Sequence, residues 1–155
     1  MYRRDEIANY IVERINTIEK DIDSYTQSYR EVTRDPIDVS LCGKLNPGEA
    51  VVGVYDTTEE KTREFGSTRS NLTVIVEFYY RPKIGATKAS ELNRLLAELT
   101  RRVMTDYSQG GLALNTIELA NDLDIDGIYD KIINGSITFE VTYRHGTFDP
   151  TKALC

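Results

Sequence analysis

Between Leu72 and Arg81 the chain keeps a strict two-residue beat. Leu72, Val74, Val76, Phe78 and Tyr80 fall on one side, and Thr73, Ile75, Glu77, Tyr79 and Arg81 on the other. Period two is the signature of a strand that is buried on one face only, so another layer must cover the apolar side. The beat returns near the end, where Ile137, Phe139, Val141 and Tyr143 alternate with Thr138, Glu140, Thr142 and Arg144. Two segments have the helical spacing needed for a cover. Ile7, Ala8, Ile11, Val12, Ile15, Ile18 and Ile22 form one stripe, predicting a helix over Asp5–Asp21. Ala89, Leu92, Leu95, Leu96, Leu99 and Val103 form another, predicting a helix over Thr87–Tyr107 with a Glu98–Arg102 pair on its outer surface. The expected fold is α+β, with two helices packed on one face of a mostly antiparallel β-sheet.

The remaining elements follow from shorter signals. Ile37–Leu41, Ala50–Tyr55, Leu112–Leu119 and Ile125–Ile133 are predicted strands, and Asn134-Gly135 is the dipeptide that most favours a two-residue hairpin turn. The tract 56–71 is almost wholly polar and lies between two strands, which predicts a long β-hairpin whose tip projects from the body. At 155 residues the chain has the length of a single domain, 1–155, with 146–155 expected as a short C-terminal tail.

Charge narrows the function. There are 25 acidic against 19 basic side chains, a net charge of -6, and basic residues run no longer than the pairs Arg3–Arg4 and Arg101–Arg102. Proteins that grip nucleic acid neutralise phosphates with clustered Lys and Arg, so specific DNA binding is not expected. No signal peptide and no membrane span are expected either, which points to synthesis in the cytoplasm. Cys42 and Cys155 lack metal-site spacing and are expected as unpaired thiols.

The one histidine, His145, has no nucleophile motif near it and is expected at the surface of a strand end. Asp122-Leu-Asp124-Ile-Asp126-Gly127 matches the first half of a calcium-binding helix–loop–helix loop. The bidentate glutamate required at its twelfth position is replaced by Ile133. The expectation is therefore a protein that is not an enzyme and uses no cofactor or metal. A small metal- or ligand-binding α+β domain built on that acidic loop is the alternative from another class.

The order of these segments resembles the tail-terminator family of long-tailed bacteriophages. The similarity is carried by the opening amphipathic helix, by Val51-Val52-Gly53-Val54-Tyr55 running into an acidic polar tract, and by the long strand Leu72–Arg81. It continues in the leucine-rich helix that ends at Gly110-Gly111, and in Phe139-Glu-Val-Thr-Tyr143-Arg144 with Asp149-Pro150 soon after. The resemblance implies a homo-oligomeric ring, typically of six subunits, at the head-proximal end of the virion tail. Such a ring caps the tail tube, stops its polymerisation and presents the surface on which the head docks. It further implies contacts with the tail tube protein and a neck or head-completion protein, and a lumen through which DNA passes without specific binding. A head–tail completion or neck protein is the nearest alternative. Within the polar tract, Glu59, Glu60, Arg63 and Arg69 are the expected assembly contacts, because mixed charges set register and partner choice.

Overall fold

A computed structural model describes residues 2–129, 131–146 and 149–153. In chain order these form α1 (Arg3–Asn16), β1 (Glu31–Thr33), α2 (Val39–Cys42), β2 (Ala50–Glu64), β3 (Ser67–Tyr80), α3 (Lys88–Met104), β4 (Asn115–Tyr129), β5 (Ile132–Gly146) and β6 (Asp149–Ala153). The sheet runs β1-β2-β3-β5-β4, with β6 paired to the end of β5; only β1 lies parallel to its neighbour. The fold is α+β with a mostly antiparallel sheet, as the alternating strands predict.

β3 is the central strand. Leu72, Val74, Val76 and Phe78 are fully buried, and across the ladder they meet Val141, Phe139, Ile137 and Gly135 of β5. On the other side Phe78 and Val76 pair with Val52 and Val54 of β2, so three strands present one continuous apolar face. Ile7, Ile11 and Ile15 of α1 and Leu92, Leu95, Leu99 and Val103 of α3 share a single cluster with that face. Aliphatic side chains at this burial each contribute about 1.5–3 kcal/mol relative to exposure, which makes this layer the main source of stability.

Several expected elements differ. α1 ends at Asn16, not Asp21; the chain then turns through left-handed backbone at Asp21, Asp23 and Ser24, which leaves Ile22 exposed. The strand expected at Ile37–Leu41 is the short helix α2, started by the Asp38 side chain accepting a hydrogen bond from the Ser40 amide. Ile37, Cys42 and Leu45 pack with Val51, Tyr79 and Ile132 as a small second core on the face opposite α1 and α3. Ala89 is exposed at the start of α3. Glu98 is not on an outer surface: it is buried and accepts hydrogen bonds from the Thr26 amide (2.6 Å) and hydroxyl (2.5 Å). Its expected partner Arg102 instead donates to the Arg14 carbonyl and to Thr17. Residues 149–153 of the expected tail form β6.

Asn134-Gly135 is not a turn. Both residues lie inside β5, and the chain reverses between Tyr129 and Ile132. A Cβ at Gly135 would lie 2.6 Å from the Phe78 ring and 2.7 Å from Leu123, so close side-chain approach, not turn geometry, requires this glycine. Gly135→Ala should therefore destabilise the protein by about 1–3 kcal/mol through overpacking. Denaturant unfolding checks this, and unchanged or increased stability would contradict the packing described.

Candidate functional site

The polar tract 56–71 is not a loop. β2 and β3 stay paired out to Glu64 and Ser67, and only Phe65 and Gly66 form the turn, with Gly66 at φ +76°. β5 accompanies β3 as far as the Thr68–His145 pair, and β6 adds to the outer side of β5 there, so the arm is not a bare two-stranded projection. A bulge between Asp56 and Glu59 marks where the arm begins.

Here the buried face changes from apolar to polar. Thr68, Ser70, Tyr143 and His145 continue the side that holds Leu72 and Val141 nearer the centre. Glu59 lies opposite Leu72, and its carboxylate accepts a hydrogen bond from the Tyr143 hydroxyl. Arg4 from the first turn of α1 reaches over, with one nitrogen 3.5 Å from Glu59 and another donating to Asp56 at 2.5 Å. Arg34, just past β1, donates to the same Asp56 carboxylate. Burial alone would raise Asp56, but the hydrogen bonds and charges of Arg34 and Arg4 outweigh it and hold the carboxyl below its usual range. Burial, then the bond to Glu59, pushes the Tyr143 phenol well above its ordinary value.

His145 is buried, contrary to the surface position expected from the sequence. Its ring stands 5.9 Å from Tyr143, with Nε2 3.3 Å from the Lys61 ammonium and Nδ1 2.7 Å from the Gly146 carbonyl. The ring thus links β5 to Lys61 of β2.

The four expected contact residues do not form one patch. Glu59 is drawn into the Arg4–Tyr143 cluster and its side chain is 8% exposed. Arg63 shares its face of the sheet and is exposed. Glu60 and Arg69 lie on the opposite face, where Arg69 sits 3.4 Å from Glu64 and Arg144 3.3 Å from the same carboxylate. The residue that polarity arguments overlooked is Phe65, wholly exposed at the tip. Its place in a charged tract is the one signal that could have found it.

The acidic stretch Asp122–Gly127 is also strand, part of β4, so it cannot wrap a cation as a calcium loop does. Asp122 and Asp124 line a shallow depression of about 150 Å³ with Glu77, Tyr55 and Tyr79. Burial raises the Glu77 carboxyl, which accepts a hydrogen bond from the Ile37 amide at 2.5 Å. Among the described residues, no three His, Cys, Asp or Glu side chains come together as a metal site. Nor is any described helix long and apolar enough to cross a membrane. Cys42 is a buried free thiol; Cys155 lies outside the described residues.

β4 is an edge strand of fifteen residues, with Ile117, Leu119 and Ile125 exposed by 42%, 50% and 45%. At the other edge β1 pairs with β2 only over Val51–Gly53, so among the described residues no strand lies outside β2 beyond that point. The sheet is thus open at both sides. Compared with protein-family models and with curated proteins, the chain matches none.

A carboxyl depressed in the folded state stabilises in full above the unfolded value, about pH 3.9 for Asp. That contribution is lost as the pH falls through the lower folded value. Unfolding measured at a series of pH values should therefore show stability dropping on the acid side, and Asp56→Asn should flatten part of that drop. An identical acid profile in Asp56→Asn would contradict the Arg4–Asp56–Arg34 link.

Proposed function

We propose that this chain is a structural assembly subunit, a tail terminator that forms a closed homo-oligomeric ring on the end of a phage tail tube. In this reading it stops tube polymerisation and provides the surface for head docking, and it performs no catalysis. The observation that carries the reading is the sheet left open at two unlike edges, one of them a long strand with exposed aliphatic side chains. An exposed edge of that kind is a template for another chain. Unlike edges on one subunit suit head-to-tail contacts, which close into a ring when the rotation per subunit allows.

Charge supports the same reading. The face opposite α1 and α3 carries Glu77, Asp122, Asp124 and Glu140 among polar neighbours. A lumen lined this way repels phosphates, so DNA would pass without sticking. The tail tube protein and a neck or head-completion protein are the proposed partners. The virion tail is the proposed location, after synthesis in the bacterial cytoplasm. Glu60, Arg63 and Arg69 remain proposed contacts, because their side chains are exposed, while Glu59 would act by holding the arm in shape.

Native mass spectra of the purified chain, alone and mixed with tail tubes, test the proposal. A closed ring, most simply a sixfold mass, is expected in at least the tube-bound sample, and tubes so capped should not lengthen. A chain that stays monomeric in both and leaves tube growth unaffected would overturn it. A ring that ignores tubes but binds filled heads would point to a neck or completion protein instead.

A further inference from the structure

We infer that the outer edge of β4 is completed by the free half of β2, Thr58–Glu64, from a second copy of this chain, so that the sheet continues across the subunit boundary. The inference rests on the ring reading above and names the surfaces that would build it.

Edge strands of monomers are usually short, or blunted by Lys and Pro. β4 is fifteen residues long and contains no Lys, Arg or Pro. Its charged side chains are Glu118, Asp122, Asp124 and Asp126, all negative. The bulge between Glu118 and Ala120 bends it, but pairing with β5 resumes from Ala120 to Asp124. An acidic edge disfavours a like strand: β4 against β4 about a twofold axis would bring carboxylates together with no cation on either strand. It admits a strand that brings cations.

The other open edge brings them. Beyond the Thr57 carbonyl, which Arg4 occupies at 2.8 Å, the free stretch of β2 carries the exposed Arg63, and Lys61, whose ammonium also meets His145 at 3.3 Å and Glu59 at 3.7 Å. Strand alternation puts both on the sheet face that also holds Glu118 of β4. In a sheet continued from copy to copy these faces coincide, so a staggered pairing of the two edges puts cation and carboxylate on one side of the sheet. Phe65 stands at the end of that same edge, fully exposed, while Ile117, Leu119 and Ile125 are exposed along β4. An aromatic at a hairpin tip and exposed aliphatic side chains on the receiving strand are complementary, and aromatic anchors dominate interface energetics. Main-chain hydrogen bonds between the two edges would supply affinity, and the side chains the register.

The test uses the full chain and four variants: Arg63→Glu, Glu118→Lys, the two combined, and Phe65→Ser. Each is first checked for an unchanged melting profile. Phe65 touches solvent only, so Phe65→Ser keeps the test open should a charge reversal disturb folding. Native mass spectra are recorded with and without tail tubes. The expected result is a ring in the parent, its loss in each single reversal and in Phe65→Ser, and its return in the combined reversal. Rings of parental abundance in the single reversals and in Phe65→Ser would overturn the edge pairing and leave the ring reading intact. A parent that forms no ring under either condition would overturn both.

Discussion

The apolar face of β3 is the constraint on which everything else hangs. Leu72, Val74, Val76 and Phe78 lie at the centre of the sheet, bounded by β2 and β5, and both long helices bury their stripes against the surface these strands share. Without that face neither α1 nor α3 has a partner, since helices of this length draw most of their stability from packing. Beyond Leu72 the same strand changes character. Ser70 and Thr68 replace aliphatics, and the layer above them is built from Arg4, Glu59, Lys61, Tyr143 and His145. A polar layer of this kind holds only while its groups satisfy one another, which makes the arm's shape depend on pairings and not on bulk.

How well an element can be read from its residues depends on the contrast between its two sides. β3 and β5 have apolar side chains on one face and polar ones on the other, and α3 has a leucine stripe, so each is visible in the sequence. The polar tract predicts a hairpin, but no apolar pattern in it marks where its strands run. Their buried side is Glu59, Ser70, Thr68 and His145, so no apolar alternation marks the inward positions. β4 is an edge strand exposed on much of its length, and its alternating carboxylates imitate the spacing of a calcium loop. Asn134-Gly135 imitates a turn because local preference favours one there, while contact with Phe78 and Leu123 decides otherwise. Glu98 reads as a surface residue in the sequence because its partner, Thr26, lies 72 positions away in a segment without clear periodicity.

The candidate site is less legible than the fold for the same reason. Mixed charge in 56–71 drew attention to the right arm, but charge alone cannot separate an internal cluster from an outward contact. Glu59 belongs to the first kind, whereas Arg63 and Phe65 face outward. In the proposed assembly these two kinds cooperate. The Arg4–Asp56–Arg34 link and the Glu59–Tyr143 bond tie the base of the arm to the body, and the arm offers its outer edge to the acidic strand of a neighbour. The negative charge of β4 then has two effects, disfavouring self-pairing about a twofold axis and accepting the cations of β2.

Backbone hydrogen exchange on the free chain and on the tube-bound protein tests this most directly, because it reads the edges themselves and not the mass they produce. Amides on the outer sides of β4 and of Thr58–Glu64 should exchange fast in the free chain, and both sets should become protected together on assembly. Protection of neither set in a complex that caps the tube would contradict the joining of subunits through their sheet edges.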